Sequence, residues 1–89
     1  MSSGPLVGVV GVGYVGLTTA VCVAGQGLNV VAVDADSHRV RKLATGVSVI
    51  DEPDLSELLC DGLAGGTLSF STDYGALADR DVVFVCVPT

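Results

Sequence analysis

Residues 6–34 read LVGVVGVGYVGLTTAVCVAGQGLNVVAVD, and this stretch decides the fold of the 89-residue chain. An apolar run at its start leads into three glycines with the spacing Gly-x-Gly-x-x-Gly, which are Gly11, Gly13 and Gly16. A segment of small residues follows, and a second apolar run ends at Asp34, 18 residues after the third glycine. This order is typical of a strand, a helix and a second strand that bind a dinucleotide.

Each glycine of the loop has its own predicted role. Gly11 permits the turn out of the first strand, Gly13 lets the backbone approach a pyrophosphate, and Gly16 lets the helix pack closely on the sheet. The pyrophosphate would accept hydrogen bonds from the unpaired N–H groups at the start of the helix, without a lysine. The sequence contains no Gly-x-x-x-x-Gly-Lys-Ser/Thr pattern, which argues against an ATPase-type phosphate loop.

Asp34 follows the second apolar run, where a carboxylate can accept hydrogen bonds from both hydroxyls of an adenosine ribose. A negative charge at this position would repel a 2′-phosphate, so the sequence favours NAD over NADP. The alternative is that the glycine string occurs by chance or forms a purely structural turn. The strand, helix, second strand and acid that accompany the string favour the dinucleotide site.

Residues 1–33 carry no charged side chain, so a membrane helix or a signal peptide is a competing interpretation. Seven glycines, the polar pair Thr18 and Thr19 and the absence of Lys or Arg before the apolar run argue against it. The predicted helix, about Tyr14 to Ala24, is also shorter than the ~20 residues that cross a bilayer. Uncharged Val-rich strands covered by helices account for the same pattern.

Composition indicates one small folded domain. Hydrophobic residues make up 49% of the chain and charged residues 16%, which is not a disordered composition. The net charge of −6 disfavours nucleic acid and anionic membranes as partners. Three separated cysteines predict neither a zinc site nor a disulfide framework, and they fit a reducing cytoplasm.

The remainder of the chain alternates helix and strand patterns. We predict a helix from His38 to Thr45 capped by Ser37, and a short helix from Asp54 to Cys60 that is broken by Gly62, Gly65 and Gly66. Further predictions are a strand at Thr67 to Ser71, a helical turn at Tyr74 to Leu77 and a strand at Asp81 to Val87. The predicted fold is α/β, a Rossmann-type parallel sheet with helices on both faces and the strand order third, second, first, fourth.

Several motifs together resemble the N-terminal NAD-binding domain of the UDP-glucose/GDP-mannose dehydrogenase family. They are Gly-x-Gly-Tyr-Val-Gly-Leu at 11–17, Val-Asp-x-Asp at 33–36 with Arg39-Val40, Glu-Pro-x-Leu at 52–55, Thr72-Asp73, and the run from Asp81 to Thr89 that closes Val-Pro-Thr. The resemblance implies an oxidoreductase that converts the C6 alcohol of a nucleotide sugar to a carboxylate with two NAD molecules in succession. The sequence departs from the family at Asp54, where the family usually has glycine.

The resemblance implies a cofactor site made of Gly11, Val12, Gly13, Tyr14, Val15, Gly16, Asp34, Arg39 and Thr89. Arg39 would lie near the ribose, with a solvated helix charge as the alternative, and Thr89 could instead be a frayed end. Tyr14 could also simply pack beside the loop. Glu52 could face substrate, but a carboxylate at a helix start is favoured. His38 is expected to be solvated, and Cys22 and Cys86 are expected in the core.

Family members carry a catalytic cysteine, lysine and asparagine in a region beyond residue 89, and none of the cysteines here lies in a matching motif. We therefore expect residues 1–89 to be the first half, about four strands, of the NAD-binding domain, with no catalytic or metal-binding residues and no activity alone. The nucleotide sugar would bind only through absent domains. Alternatives are a hydroxyacid or hydroxyacyl-CoA dehydrogenase, which Glu52-Pro53-x-Leu55 and Val87-Pro88-Thr89 oppose, and a non-catalytic nucleotide-sensing module.

The fourth predicted strand, Val82 to Val87, has an outer edge that could pair with another chain. It is apolar and uninterrupted, and a fifth strand to cover its outer edge is not predicted. Such an edge lacks the charges and bulges that usually prevent pairing with another chain. We expect a homodimer or self-association through this edge.

Overall fold

Four parallel strands form one sheet in the computed structural model, which describes residues 4–48 and 52–86. In chain order the elements are β1 (Leu6–Val10), α1 (Tyr14–Gly25), β2 (Asn29–Val33), α2 (Ser37–Ala44), α3 (Pro53–Gly65), β3 (Leu68–Ser71), a 3-10 turn (Tyr74–Leu77) and β4 (Val82–Val85). The order across the sheet is β3-β2-β1-β4, and all three strand pairs are parallel. This confirms the Rossmann-type fold and the predicted order of the strands.

The core lies between one face of the sheet and the helices α1 and α3, and Leu43 of α2 also belongs to it. Alternate residues of the strands point into it, because successive side chains of a strand lie on opposite faces. From the sheet these are Val7, Val9, Val30, Ala32 and Leu68, and from the helices they include Leu17, Val21, Leu55 and Leu59. On the opposite face Leu77 of the 3-10 turn lies against Gly8. Because all four strands run parallel, their carboxyl ends lie at one edge of the sheet.

The start of α2 differs from the prediction. The N-cap residue is Asp36 and not Ser37, and its Oδ1 accepts a hydrogen bond of 3.1 Å from the amide of Arg39. Ser37 is the first helical residue. Both residue types cap helices well, but only Asp36 has the extended backbone and lies three residues before a helical N–H that its side chain reaches.

The predicted break of α3 at Gly62 is wrong. The helix continues to Gly65, and Gly66 ends it with a positive φ of 77°. A Cβ at Gly62 would lie 2.9 Å from the Cβ of Leu68, so this glycine permits a close approach between α3 and β3. Thr67, predicted to begin β3, donates its amide to the Gly62 carbonyl and belongs to the helix end.

β4 begins at Val82, one residue later than predicted, and Asp81 before it binds the first residue of β1 with both its amide and its carboxylate. The Asp81 amide donates to the Leu6 carbonyl, and Oδ2 of Asp81 accepts from the Leu6 amide, both at 2.7 Å. The described part of the strand ends at Val85, and Val87 lies outside the described residues. In the described ranges no helix is both long and apolar enough to cross a bilayer.

Candidate functional site

An open cleft of about 400 Å³ lies at the carboxyl edge of the sheet. Residues that follow each of the four strands line it, and they are Gly11, Gly13, Asp34, Ala35, Asp36, Arg39, Tyr74 and Cys86. The cleft brings together the glycine loop, the acid after β2 and the arginine of α2, which the sequence predicted as neighbours. Ligands of open α/β sheets bind at this edge.

Gly11 makes the turn out of β1. Its φ is +92°, a conformation that side chains with a Cβ rarely adopt, and its amide donates a 2.8 Å hydrogen bond to the Val33 carbonyl at the end of β2. The turn is therefore joined to the neighbouring strand. This confirms the conformational role predicted for Gly11.

Gly16 lets α1 approach this turn closely. A Cβ at Gly16 would overlap the carbonyl oxygen of Gly11, lie 2.8 Å from its carbonyl carbon and contact Cys86 at 3.3 Å. Because two of these atoms belong to the backbone, they cannot move aside as a flexible side chain could. The absence of a Cβ at Gly16 thus allows α1 to pack against the loop that follows β1.

Gly13 differs from the other two glycines, because the fold does not require it. Its φ is −71°, which any residue adopts, and a Cβ there would meet no atom within 4 Å. Gly13 is the N-cap residue of α1, and within the described chain no side chain caps this helix. The space and the helix N–H groups beside Gly13 are suited to an anion that approaches the backbone.

Asp34 joins the glycine loop after β1 to the turn between β2 and α2. Its Oδ2 accepts a hydrogen bond of 3.0 Å from the Val12 amide in the glycine loop, and its Oδ1 accepts one of 2.9 Å from the Asp36 amide. Each carboxylate oxygen can accept more than one hydrogen bond, so both can still accept from ligand hydroxyls. The sequence predicted the ribose role but not the contact with Val12.

Arg39 is half-buried on the first turn of α2 and lines the cleft, which favours the site role over the solvated alternative. The hydrogen bond that the Arg39 amide donates to the carboxylate of Asp36 is the main reason that the pKa of Asp36 lies below its usual value of 3.8. The carboxylate of Asp36 is therefore charged in the folded chain near neutral pH, and Arg39 lies beside it.

The remaining predicted residues have varied positions. Tyr14 and Val15 are exposed, at 59% and 62%. His38 is exposed as expected, Glu52 is the exposed N-cap residue of α3, and Thr89 lies outside the described residues.

The core prediction for the cysteines holds for one of the two. Cys86 is half-buried and packs against the core. Cys22 is exposed, which the prediction had wrong. The inward residues of α1 are Leu17, Ala20, Val21 and Ala24, and the 3.6-residue period of the helix turns position 22 away from them.

The sequence reasoning did not select Tyr74 for the site. The sequence predicts only a helical turn there, but Tyr74 lines the cleft and is 49% exposed. A signal was available, because Tyr74 follows the end of β3 by three residues and the carboxyl ends of parallel strands share one edge.

Comparison with known proteins identifies a family. The model of the "UDP-glucose/GDP-mannose dehydrogenase family, NAD binding domain" matches residues 6–89. A UDP-glucose 6-dehydrogenase of Bacillus subtilis is 42% identical over 82 residues, which are 91% of this chain and 19% of that protein. A GDP-mannose 6-dehydrogenase of Pseudomonas aeruginosa is 40% identical over 84 residues, 93% of this chain and 19% of that protein.

Solved structures agree with this result. A ternary complex of GDP-mannose dehydrogenase from Pseudomonas aeruginosa superposes with a TM-score of 0.89 at 40% identity, over 93% of this chain and 19% of that chain. A UDP-glucose dehydrogenase from the archaeon Pyrobaculum islandicum gives 0.90 at 38% identity, over 97% and 20%. The chain spans about a fifth of the length of the relatives it matches.

Proposed function

The chain belongs to the UDP-glucose/GDP-mannose dehydrogenase family and lies in its NAD-binding domain, and from this premise we propose which residues bind NAD and for what reaction. The proposed cofactor residues are Gly11, Val12, Gly13, Tyr14, Val15, Gly16, Asp34, Arg39 and Thr89. When bound, NAD supplies a hydride acceptor to the enzyme. The chain's own residues bind and orient it.

The observation that carries the proposal is the link between the glycine loop and Asp34. The Val12 amide donates to the carboxylate of Asp34, so the loop that would hold the pyrophosphate and the acid that would hold the ribose are fixed relative to each other. Gly13 leaves space beside the helix N-terminus for the pyrophosphate, and Arg39 lines the same cleft as Asp34. The glycine loop and Asp34 thus follow the order of pyrophosphate and ribose in the adenosine half of NAD, and Arg39 would lie near the ribose.

The whole protein is proposed to oxidise the C6 alcohol of a nucleotide sugar to a carboxylate. Residues 1–89 contribute part of the NAD-binding domain, and the catalytic and sugar-binding residues belong to the remaining four fifths of the length that the relatives have. The family assignment argues against the alternative of a hydroxyacid or hydroxyacyl-CoA dehydrogenase. The proposed compartment is the cytoplasm, where the thiols of Cys22, Cys60 and Cys86 would stay reduced.

Titration calorimetry of the 89-residue chain with NAD and with NADP tests the proposed cofactor site. We expect weak binding of NAD and weaker binding of NADP, because the charge of Asp34 opposes a 2′-phosphate. Equal or tighter binding of NADP would contradict the role of Asp34.

The chain alone should form no NADH from UDP-glucose or GDP-mannose. Activity that survives purification and disappears when a residue of this chain is changed would contradict the placement of catalysis elsewhere.

Self-association is a separate proposal, and the exposure of β4 supports it. In the described residues β4 pairs with β1 on one side only, and Val82, Val83, Phe84 and Val85 are each at least 40% exposed. Unpaired N–H and C=O groups beside exposed apolar side chains favour pairing with another strand. The proposed partner is a second copy of the chain.

A further inference from the structure

The geometry of the cleft points to Tyr74 as the residue that holds the adenine base, with the base stacked on its phenol ring. This inference rests on the proposed NAD site and adds a residue that determines how the base is bound. Among the described residues that line the cleft, Tyr74 is the one aromatic residue.

The position of Tyr74 is fixed by the turn in which it lies. Oδ1 of Asp73 accepts a hydrogen bond of 2.8 Å from the Gly75 amide, and the Asp73 amide donates one of 2.9 Å to Oγ of Ser71. At the other end of the turn, Leu77 packs so closely on Gly8 that a Cβ there would lie 2.6 Å from the leucine Cδ2. The turn is therefore held at both ends, and Tyr74 lies in it at the edge of the cleft.

The strand order places Tyr74 on the adenine side. A dinucleotide whose pyrophosphate lies at the glycine loop, after β1, and whose ribose lies at Asp34, after β2, runs across the strand ends in the direction from β1 to β2. The next strand in that direction is β3, which pairs with β2 from Val30↔Leu68 to Val33↔Ser71. Tyr74 follows β3 by three residues, so it lies where the base attached to that ribose would continue. The nicotinamide half would extend the other way, toward β4.

The chemistry of the side chain suits a flat, aromatic ligand. Tyr74 is 49% exposed, although its ring is a large apolar surface. A tyrosine ring offers this surface at low cost in conformational entropy, and stacking on a purine covers it while the hydroxyl remains in water. Arg39 is the other cleft residue with a long side chain, and its guanidinium could stack on the base instead. The experiment therefore separates the two residues.

The experiment measures binding of ADP-ribose and of NAD to the wild-type chain and to two variants, Tyr74→Leu and Tyr74→Phe. Loss of the ring in Tyr74→Leu should lower the affinity for ADP-ribose by about fivefold to a hundredfold, the usual range for base stacking on an aromatic ring. Tyr74→Phe keeps the ring and should bind within about twofold of the wild type. The ratio of NAD to NADP affinity should stay the same in both variants, because Asp34 sets it.

A spectroscopic measurement separates stacking from a merely structural role. In the wild type, nuclear Overhauser contacts should join the H2 or H8 protons of adenine to the ring protons of Tyr74, and Tyr74→Phe should keep them. Should Tyr74→Leu fail to fold, the contacts in the wild type and in Tyr74→Phe still decide. Adenine contacts to Arg39 alone, or a folded Tyr74→Leu chain that binds ADP-ribose like the wild type, would overturn this inference and leave the NAD site in place. A wild-type chain that binds neither ligand would overturn the NAD site itself.

Discussion

The amide of Val12 donates a 3.0 Å hydrogen bond to Oδ2 of Asp34, and this bond connects the loop after β1 to the end of β2. The other oxygen of the carboxylate accepts from Asp36, at the turn into α2. One side chain thus fixes two segments of the cleft. Asp34 has a structural role in the chain in addition to the proposed contact with the ribose.

Asp34→Ala should lower both stability and NAD affinity. The amide of Val12 would lose its acceptor, at a cost of up to about 1 to 3 kcal/mol in the free energy of unfolding. NAD should bind more weakly, and the preference over NADP should shrink. Urea unfolding and titration calorimetry measure the two effects. Glu57→Ala, which removes an exposed carboxylate of α3, is the control for charge, and an equal loss in both variants would contradict the prediction.

Gly13→Ala should weaken NAD binding while the chain stays folded. A Cβ at this position meets no atom within 4 Å, so the expected cost in stability is that of a poorer N-cap residue, under about 1 kcal/mol. The methyl group would occupy the space into which the pyrophosphate must come, and NAD affinity should fall by at least about tenfold. Calorimetry with NAD checks this. Unchanged affinity in the variant would place the pyrophosphate elsewhere.

Gly16→Ala should destabilise the fold itself. The new Cβ would overlap the Gly11 carbonyl, and relieving the overlap requires α1 to move from the loop, at a cost of about 3 kcal/mol or more. Gly25→Ala is the matched control at the other end of α1. Its Cβ would meet nothing within 4 Å, and alanine should gain up to about 1 kcal/mol as the better helix former. Thermal unfolding of both variants tests the contrast, and a Gly16→Ala chain as stable as the wild type would contradict the packing described here.

Stability should depend on Asp36 at acidic pH. The Arg39 amide holds the pKa of Asp36 below 3.8, so the folded state favours the carboxylate. The stabilisation is therefore complete above 3.8 and is lost as the pH falls through the lower pKa of the folded state. Asp36→Asn keeps an oxygen that can cap α2 but does not titrate, so it should lose less stability than the wild type in that range. Urea unfolding at a series of pH values measures this, and identical acid sensitivity would argue against Asp36.

Val85→Lys should reduce self-association. Val85 is 69% exposed on β4, and a lysine on an edge strand opposes pairing with a second copy. Val47→Lys is the control, because Val47 is 53% exposed after α2, away from this edge. Light scattering over a range of concentrations gives the molecular mass. A wild-type monomer at high concentration, or association that both variants reduce equally, would exclude the β4 edge as the interface.

Local backbone chemistry explains which features could be predicted from the sequence. The Gly11 turn and the extent of α1 follow from glycine spacing and the run of small and apolar residues, which act within a few residues. The strand order follows from the right-handed crossovers of parallel α/β units, a rule of topology that holds for many sequences. Gly62 could not be assigned in this way. A glycine in a helix pattern usually indicates a break, but here it lies against Leu68, and only the packing of α3 on β3 distinguishes a break from a close approach.

The sequence by itself determined that this chain folds into a parallel sheet with a glycine loop before α1 and an acid after β2. Those features depend on the conformational freedom of glycine, on capping groups and on short apolar runs, all of which are local properties. Only the tertiary structure decided that Asp34 holds the Val12 amide, that Gly16 contacts the Gly11 carbonyl and that Tyr74 shares their cleft. These contacts join segments distant in the chain, and their distances are set by the pairing of β3, β2, β1 and β4, which brings the carboxyl ends of all four strands to one edge.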